Sequence, residues 1–159
     1  MAGDATPPTA ADAQAMALRY LSRREYACEE LRRKLQQRGV PSETAEAVVD
    51  DLAAQNLVSD ARFAEAWARV RVQKGYGPMR IRADLRQKGV GDAFISEALS
   101  TFEEGWYEQA LQWATRRHRG ELDEKARARL YRAGMNRGFS HDQVMRAIDV
   151  LRREPSEDG

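Results

Sequence analysis

The 159-residue chain carries 26 Lys and Arg against 25 Asp and Glu, a net charge of +1, with 32% of its residues charged. That balance excludes a uniformly basic nucleic-acid binder but leaves room for local patches. The lone Cys28 excludes an internal disulfide and suits a reducing cytoplasm, and no apolar run approaches the roughly 20 residues needed to cross a bilayer.

Residues 1–12 lack the basic-then-apolar order of a signal peptide and read as a disordered arm. Met16, Ala17, Tyr20 and Leu21 then recur at helical spacing and predict a first helix over about 13–24. Leu31 and Leu35 give the seam of a second over 27–38, with Gly39 as its stop. Pro41 opens a third, through about Gln55, with Ala45, Val48, Val49 and Leu52 inward. Ser59 or Asp60 is a suitable cap for the fourth, in which Phe63, Trp67 and Val70 form an apolar stripe. Gly75-Tyr76-Gly77-Pro78 is a hinge, followed by a short basic helix whose seam is Ile81 and Leu85 and whose stop is Gly89. Asp92 caps the sixth helix, with Ile95, Ala98, Leu99 and Phe102 inside. Tyr107, Ala110, Leu111 and Ala114 predict the inner face of a seventh from Trp106, and residues 121–137 an eighth. Ser140 and Gln143 form a capping box for the ninth, which turns Val144, Ile148 and Leu151 inward. Residues 154–159 read as a disordered tail. No window alternates as a strand would.

Three segments superpose at shifts of 50 and then 49 residues. Arg38-Gly39-Val40, Lys88-Gly89-Val90 and Arg137-Gly138-Phe139 coincide, as do Leu31, Ile81 and Leu130 upstream and Val49, Leu99 and Ile148 downstream. A period near 50 with three helices per copy predicts an all-α fold of three tandem three-helix repeats, over 13–57, 58–103 and 104–153, in an elongated, curved, solenoid-like molecule. One position fails. Leu35 and Leu85 meet Gly134, so the third copy should pack differently there, through Met135.

Charge follows the same period: 19–40 holds seven basic and three acidic residues, 41–66 one and six, 67–90 seven and one, and 91–108 none and five. Salt pairing between neighbouring helices is one reading; a basic stripe matched to an acidic or anionic partner is the other. Within the central segment, Arg80–Asp84 and Asp84–Lys88 have pairing distance along a helix, whereas Arg82 and Arg86 have no carboxylate at that spacing. Glu65 can pair with Arg69, which leaves Arg71 and Lys74. Arg71, Lys74, Arg82 and Arg86 are therefore the candidate contacts, with Tyr76 between the two sets as a stacking group or, equally, a tyrosine packed under its own turn.

No catalytic constellation stands out. His118 lies among Arg116, Arg117 and Arg119, where positive charge suits a helix C-terminus. His141 follows an N-cap. Neither has partners at metal-ligand spacing, and no phosphate-binding glycine loop or nucleophile elbow occurs. The expectation is a protein that is not an enzyme and needs no cofactor or metal.

Gly75-Tyr76-Gly77-Pro78 with Ile81, Leu85, Lys88 and Gly89 resembles the central motif of the bacterial RecX regulators. So do Ala17-Leu18-Arg19-Tyr20-Leu21-Ser22-Arg23-Arg24-Glu25-Tyr26, Asp60-Ala61-Arg62-Phe63-Ala64, and Leu130-Tyr131-Arg132 with Arg137-Gly138-Phe139-Ser140. The resemblance covers about 15–152. It implies a helical tandem-repeat protein that binds the RecA–single-stranded-DNA filament in its groove and lowers RecA's ATPase, strand-exchange and coprotease activities. The expected protein is a cytoplasmic monomer with no membrane partner and a weak direct DNA contact; direct DNA binding by three helical modules, in a groove or along a strand, is the alternative. Two departures from the family pattern stand out. Ala27 replaces a capping Ser, which should weaken the second helix by about 1 kcal/mol, and Gly134 replaces a leucine.

Overall fold

In the computed structural model, residues 6–153 are described and every regular element among them is helical. Residues 1–5 and 154–159, the outer part of the expected arm and the expected tail, lie outside the described residues. The helices are α1 (Ala10–Leu21), α2 (Cys28–Gln37), α3 (Ser42–Ala54), α4 (Asp60–Gln73), α5 (Pro78–Gln87), α6 (Asp92–Ser100), α7 (Trp106–Arg117), α8 (Glu124–Arg137) and α9 (His141–Arg153). A single 3₁₀ turn, Glu103–Gly105, precedes α7. Three sets of three helices thus follow one another among the described residues.

Caps decide where these helices begin. α1 starts earlier than its apolar spacing indicates because Thr9 and Asp12 form a reciprocal box: the Asp12 N–H donates to Thr9 Oγ1 at 3.1 Å and the Thr9 N–H to Asp12 Oδ2 at 3.0 Å. α8 starts later than expected, after Asp123, whose carboxylate accepts from the Ala126 N–H at 2.8 Å. α9 has the predicted box, with Ser140 N–H donating to Gln143 Oε1 at 2.8 Å and Gln143 N–H to Ser140 Oγ at 3.2 Å. At α2, Ala27 offers no side-chain acceptor, but the end is not left bare. Asp60, 32 residues on, accepts from the Cys28 N–H at 2.8 Å, and Glu30 reaches back to the Ala27 N–H at 3.3 Å. Asp60 is available for this because Ser59 caps α4, accepting from the Arg62 N–H at 3.2 Å. Burial, followed by the negative charge of Asp60, raises the Cys28 thiol to about 11, so it stays protonated and unreactive at neutral pH.

The chain divides into two compact units that do not coincide with the repeats. One joins residues 6–66 to 85–95, the other 67–84 to 96–153. Each unit therefore holds one terminal repeat and part of the central one. In the first, Ala13, Ala17, Leu31, Leu35, Ala45, Val49, Leu52 and Val58 form a core, with Tyr20 and Leu21 packed on its edge. In the second, Ile81, Leu99, Trp106, Trp113, Leu130, Phe139, Val144 and Ile148 are buried. Three expected core positions are exposed instead. Val70 is 47% exposed, and α4 buries Phe63, Ala64, Ala68 and Val72. Tyr107 is 42% exposed, stacks against Arg146, and yields its place in α7 to Trp106 and Trp113. Met135 does not fill the space left by Gly134. A Cβ there would lie 2.8 Å from Val144 Cγ2 and 3.2 Å from the Trp113 ring, so those two side chains occupy the volume of the missing leucine.

One contact recurs within each unit. In the first, the start of α2 sits on the turn after α5: a Cβ on Gly89 would be 2.6 Å from Glu29 Cβ, Arg33 donates to the Gln87 carbonyl at 3.1 Å, and Lys88 Nζ donates to Glu30 at 3.0 Å. In the second, the start of α5 sits on the turn after α8. The Gly77 N–H donates to the Arg137 carbonyl and the Met79 N–H to the Gly138 carbonyl, both at 2.8 Å. Glycine is required on both sides of this approach. A Cβ on Gly77 would lie 2.5 Å from Gly138 C, and one on Gly138, at φ +95°, would lie 2.5 Å from Arg80 N. The corresponding Gly39 has the same left-handed backbone, φ +93°, and nothing within 4 Å of the added Cβ.

Lys88 thus bonds Glu30 of α2, a partner its spacing from Asp84 does not indicate. Glu30 also takes two bonds from Arg24, each at 3.1 Å. Burial raises the Glu30 carboxyl, but the bonds from Arg24 and Lys88 and their charges outweigh it and hold the group below the usual carboxylate range.

The two glycine turns and the Glu30 cluster can each be tested. Gly39→Ala should lose about 1 kcal/mol, the strain of a left-handed alanine. Gly138→Ala should lose at least about 3 kcal/mol, because strain and overlap add; equal urea midpoints for the two variants would refute the close approach. Because its carboxylate is depressed, Glu30 stabilises the fold above the unfolded carboxylate range, and this contribution is lost as pH falls through the lower folded value. Glu30→Gln should therefore cost about 1–3 kcal/mol at pH 7, with the difference from the parent closing in acid, as read by urea unfolding across pH.

Candidate partner and nucleic-acid interface

The hinge and the residues on either side of it place four of the five candidate contacts in the second unit, Arg71, Lys74, Tyr76 and Arg82, while Arg86 belongs to the first. Arg71, in the last turn of α4, stacks on Trp67 at 4.3 Å and on Tyr76 at 5.4 Å from the ring centres. The turn that brings Tyr76 back is closed by its own N–H, which donates to the Arg71 carbonyl at 3.0 Å. Tyr76 is more than a tyrosine under its own turn. Its half-buried ring also meets Arg80 at 5.3 Å and Arg137 at 4.7 Å, so three guanidinium groups share it. Such contacts contribute about 0.5–1 kcal/mol each when exposed. A guanidinium that stacks by its face keeps its in-plane N–H donors available for a carboxylate or phosphate.

Arg80 keeps the predicted partner as well, with Nε 3.5 Å from Asp84 Oδ1. Arg82 is half-buried and forms no ion pair among the described residues. Arg86 is not free. It reaches past the end of its helix to Asp92, 3.0 Å away, a partner six residues on that helical spacing does not reveal. Both members of that pair are exposed, so it holds Arg86 only weakly.

Lys74 lines a cavity of about 880 Å³ in the second unit. Val72, Trp113 and Leu130, all buried, form its floor. Arg116 and Arg117 from the end of α7, Arg129 and Arg137 from α8, and Lys74 supply its charge, and no carboxylate lines it. Arg137 belongs both to this cavity and to the Tyr76 cluster, and its Nη1 lies 3.5 Å from the Lys74 carbonyl. His118 also lines the cavity. It stands just past α7 in extended backbone, and its Nε2 is buried without a hydrogen-bond partner. The structure thus gathers Arg71, Lys74 and Tyr76 through Arg137; no hydrogen bond or ring contact joins Arg82 to them. Sequence reasoning overlooks Arg116, Arg117, Arg129 and Arg137. Their signal is the Arg116-Arg117-His118-Arg119 run, which the helix dipole explains too readily.

Residues 13–52, 59–99 and 103–148 match the family models of the first, second and third three-helix domains of RecX. Regulatory protein RecX of Halorhodospira halophila is 40% identical over 145 residues, covering 90% of this chain and 89% of that protein. Regulatory protein RecX of Ectopseudomonas mendocina is 38% identical over 134 residues, covering 83% and 89% respectively. Among solved structures, a crystal structure of regulatory protein RecX superposes with a TM-score of 0.75 at 30% identity, over 88% of this chain and 73% of that one. The fold is also that of RecX from Lactobacillus salivarius, with a TM-score of 0.78 at 22% identity over 89% of this chain and 96% of the other. Three domain matches in order, with relatives near 40% identity over most of both chains, establish that the chain belongs to the RecX family of regulatory proteins.

Proposed function

We propose that this protein is a non-enzymatic cytoplasmic modulator of RecA that acts as a monomer. In this reading it binds the RecA–single-stranded-DNA filament along its groove and lowers the ATPase, strand-exchange and coprotease activities, tempering recombination and SOS DNA repair. Membership of a family of regulatory proteins carries the reading. The charge distribution supports it: Arg71 and Arg137 on Tyr76, and Arg82 on the helix after the hinge, have no carboxylate partner among the described residues. Such a set has its strongest interactions still to make, with acidic protein surface or with phosphate. The acidic segment 91–108 provides the opposite sign for basic surface on the same partner.

Arg71, Lys74, Tyr76, Arg82 and Arg86 are the proposed contacts. The test is RecA's ATPase on single-stranded DNA at stoichiometric amounts of this protein, where the parent chain should slow hydrolysis. Arg82→Ala/Arg86→Ala should require about tenfold more protein for the same inhibition, the equivalent of about 1.4 kcal/mol, with an unchanged helical circular-dichroism signal. Inhibition equal to the parent's would remove Arg82 and Arg86 from the interface, and no inhibition by the parent would overturn the reading itself.

A further inference from the structure

We infer that copies of this protein join head to tail, the start of α8 of one copy docking on the turn after α2 of the next. The three repeats offer three such turns, Gln37-Arg38-Gly39-Val40, Gln87-Lys88-Gly89-Val90 and Asn136-Arg137-Gly138-Phe139, and three second helices, α2, α5 and α8. Two of the turns are covered within the chain, the second by the start of α2 and the third by the start of α5. One turn and one helix start are left over. In tandem arrays each repeat binds its neighbour through the same pair of surfaces, so what one copy leaves open is the complement of what the next leaves open.

The turn left over differs from the one that α2 covers by a single residue, Arg38 for Lys88. On the covered turn, Glu29 lies against Gly89, Lys88 donates to Glu30, and Arg33 donates to the Gln87 carbonyl. On the open one, Gly39 has nothing within 4 Å of an added Cβ, and exposed Arg38 forms no ion pair among the described residues. The Gln37 carbonyl accepts no hydrogen bond there either, and Pro41, four residues on, has no N–H to offer it. An ordinary helix stop accounts for the left-handed Gly39. It does not account for a cation and a carbonyl beside it that both lack the partners their counterparts have.

The start of α8 carries what such a turn receives. Asp123, Glu124 and Arg127 repeat the spacing of Glu29, Glu30 and Arg33. They do so one turn further out, because α8 has 14 residues where α2 and α5 have 10 each. Asp123 is committed to capping the Ala126 N–H. Glu124 and Arg127 form no ion pair among the described residues, which leaves Glu124 for Arg38 and Arg127 for the Gln37 carbonyl of the next copy. Beside them Ala128, Tyr131 and Met145 line a hollow of about 410 Å³, apolar surface for the exposed Pro41 to cover. The α2 and α5 starts of a second copy cannot substitute, since their own chain holds them. The two patches are unlike, so every joined pair keeps one of each free and grows beyond a dimer. The contact is small and polar, so copies part on dilution, in keeping with monomeric action at low concentration.

Static light scattering of the full chain in low salt, at concentrations up to about 1 mM, tests the contact. The weight-average mass of the parent should climb with concentration past twice that of a single chain and fall back as salt is added. Arg38→Glu and Glu124→Lys each set like charges across the contact, and each alone should weaken association at least about tenfold. Mixed in equal amounts, the two variants should regain it, because altered patch then meets altered patch and parental meets parental, always with opposite charge. The double variant Arg38→Glu/Glu124→Lys should regain it too, and Arg152→Glu, outside both patches, should associate as the parent does. Circular dichroism checks that each variant folds, and rescue on mixing is a result that misfolding cannot produce. A parent mass that stays at one chain, or levels off at two, would overturn the inference. So would single variants that associate as the parent does, or a mixture that stays dissociated. The experiment contains no RecA, so its failure leaves the ATPase experiment untouched, and the converse holds.

Discussion

The second unit depends on two backbone hydrogen bonds between segments about 60 residues apart: Gly77 N–H to the Arg137 carbonyl and Met79 N–H to the Gly138 carbonyl. They join two groups that would otherwise be orphaned, an N–H at the start of one helix and a carbonyl at the end of another. The bonds need the two backbones closer than any side chain permits, which fixes glycine at 77 and 138. They also bring Arg137 to the Tyr76 ring, which Arg80 of α5 meets as well, so the cation cluster is a by-product of how the helices are joined. Change the glycines and the charges lose their geometry.

The two units treat charge differently. In the first, the cations at the start of α2 and the end of α5 fall on carboxylates: Glu30 alone receives Arg24, Lys88 and a backbone N–H. Those bonds are structural, and the depressed Glu30 carboxyl shows their net effect. In the second unit Arg80 keeps Asp84, but Arg71 and Arg137 lie against the Tyr76 ring, and Arg116, Arg117, Arg129 and Arg137 line the cavity. Stacking on Trp67 and Tyr76 orders the Arg71 guanidinium while leaving its hydrogen-bonding edges unused. Ordered cations with unspent donors lose little freedom when an anion arrives, and preorganisation of that kind strengthens binding.

Much of this is legible in the chain alone. The glycine stops, the leucine seams and the Ser140–Gln143 box predict helices because each is a local signal with a local cause. The repeat is legible for the same reason, since three copies of one pattern imply three copies of one unit. What escapes is non-local. Nothing near Ala27 announces that Asp60 will cap its helix, and nothing in the 80–88 spacing announces Asp92 or Glu30 as partners of Arg86 and Lys88. Val70 and Tyr107 mislead because a 3.6-residue period leaves the edges of the buried stripe open, and small residues such as Ala64, Ala68 and Ala110 let the backbone come closer on the other side. The cavity charges escape because Arg116, Arg129, Arg137 and Lys74 come from three separate stretches of chain. Helical spacing ranks neighbours along one helix and is blind to what a second helix brings.

The distance in sequence between Gly77 and Arg137 has a consequence for synthesis. A ribosome adding about 5–20 residues per second takes roughly 3–12 s to make the intervening stretch. Through that interval the hinge has its glycine and proline but not the carbonyls that satisfy its N–H groups, and Tyr76 has Arg71 but not Arg137. The turn after α5 is different, because the start of α2 that it receives has already been made when Gly89 emerges. The repeats are alike in sequence, yet the first unit can make its inter-repeat contact as soon as Gly89 has been added, whereas the second must wait for Arg137 and Gly138, 49 residues beyond Gly89.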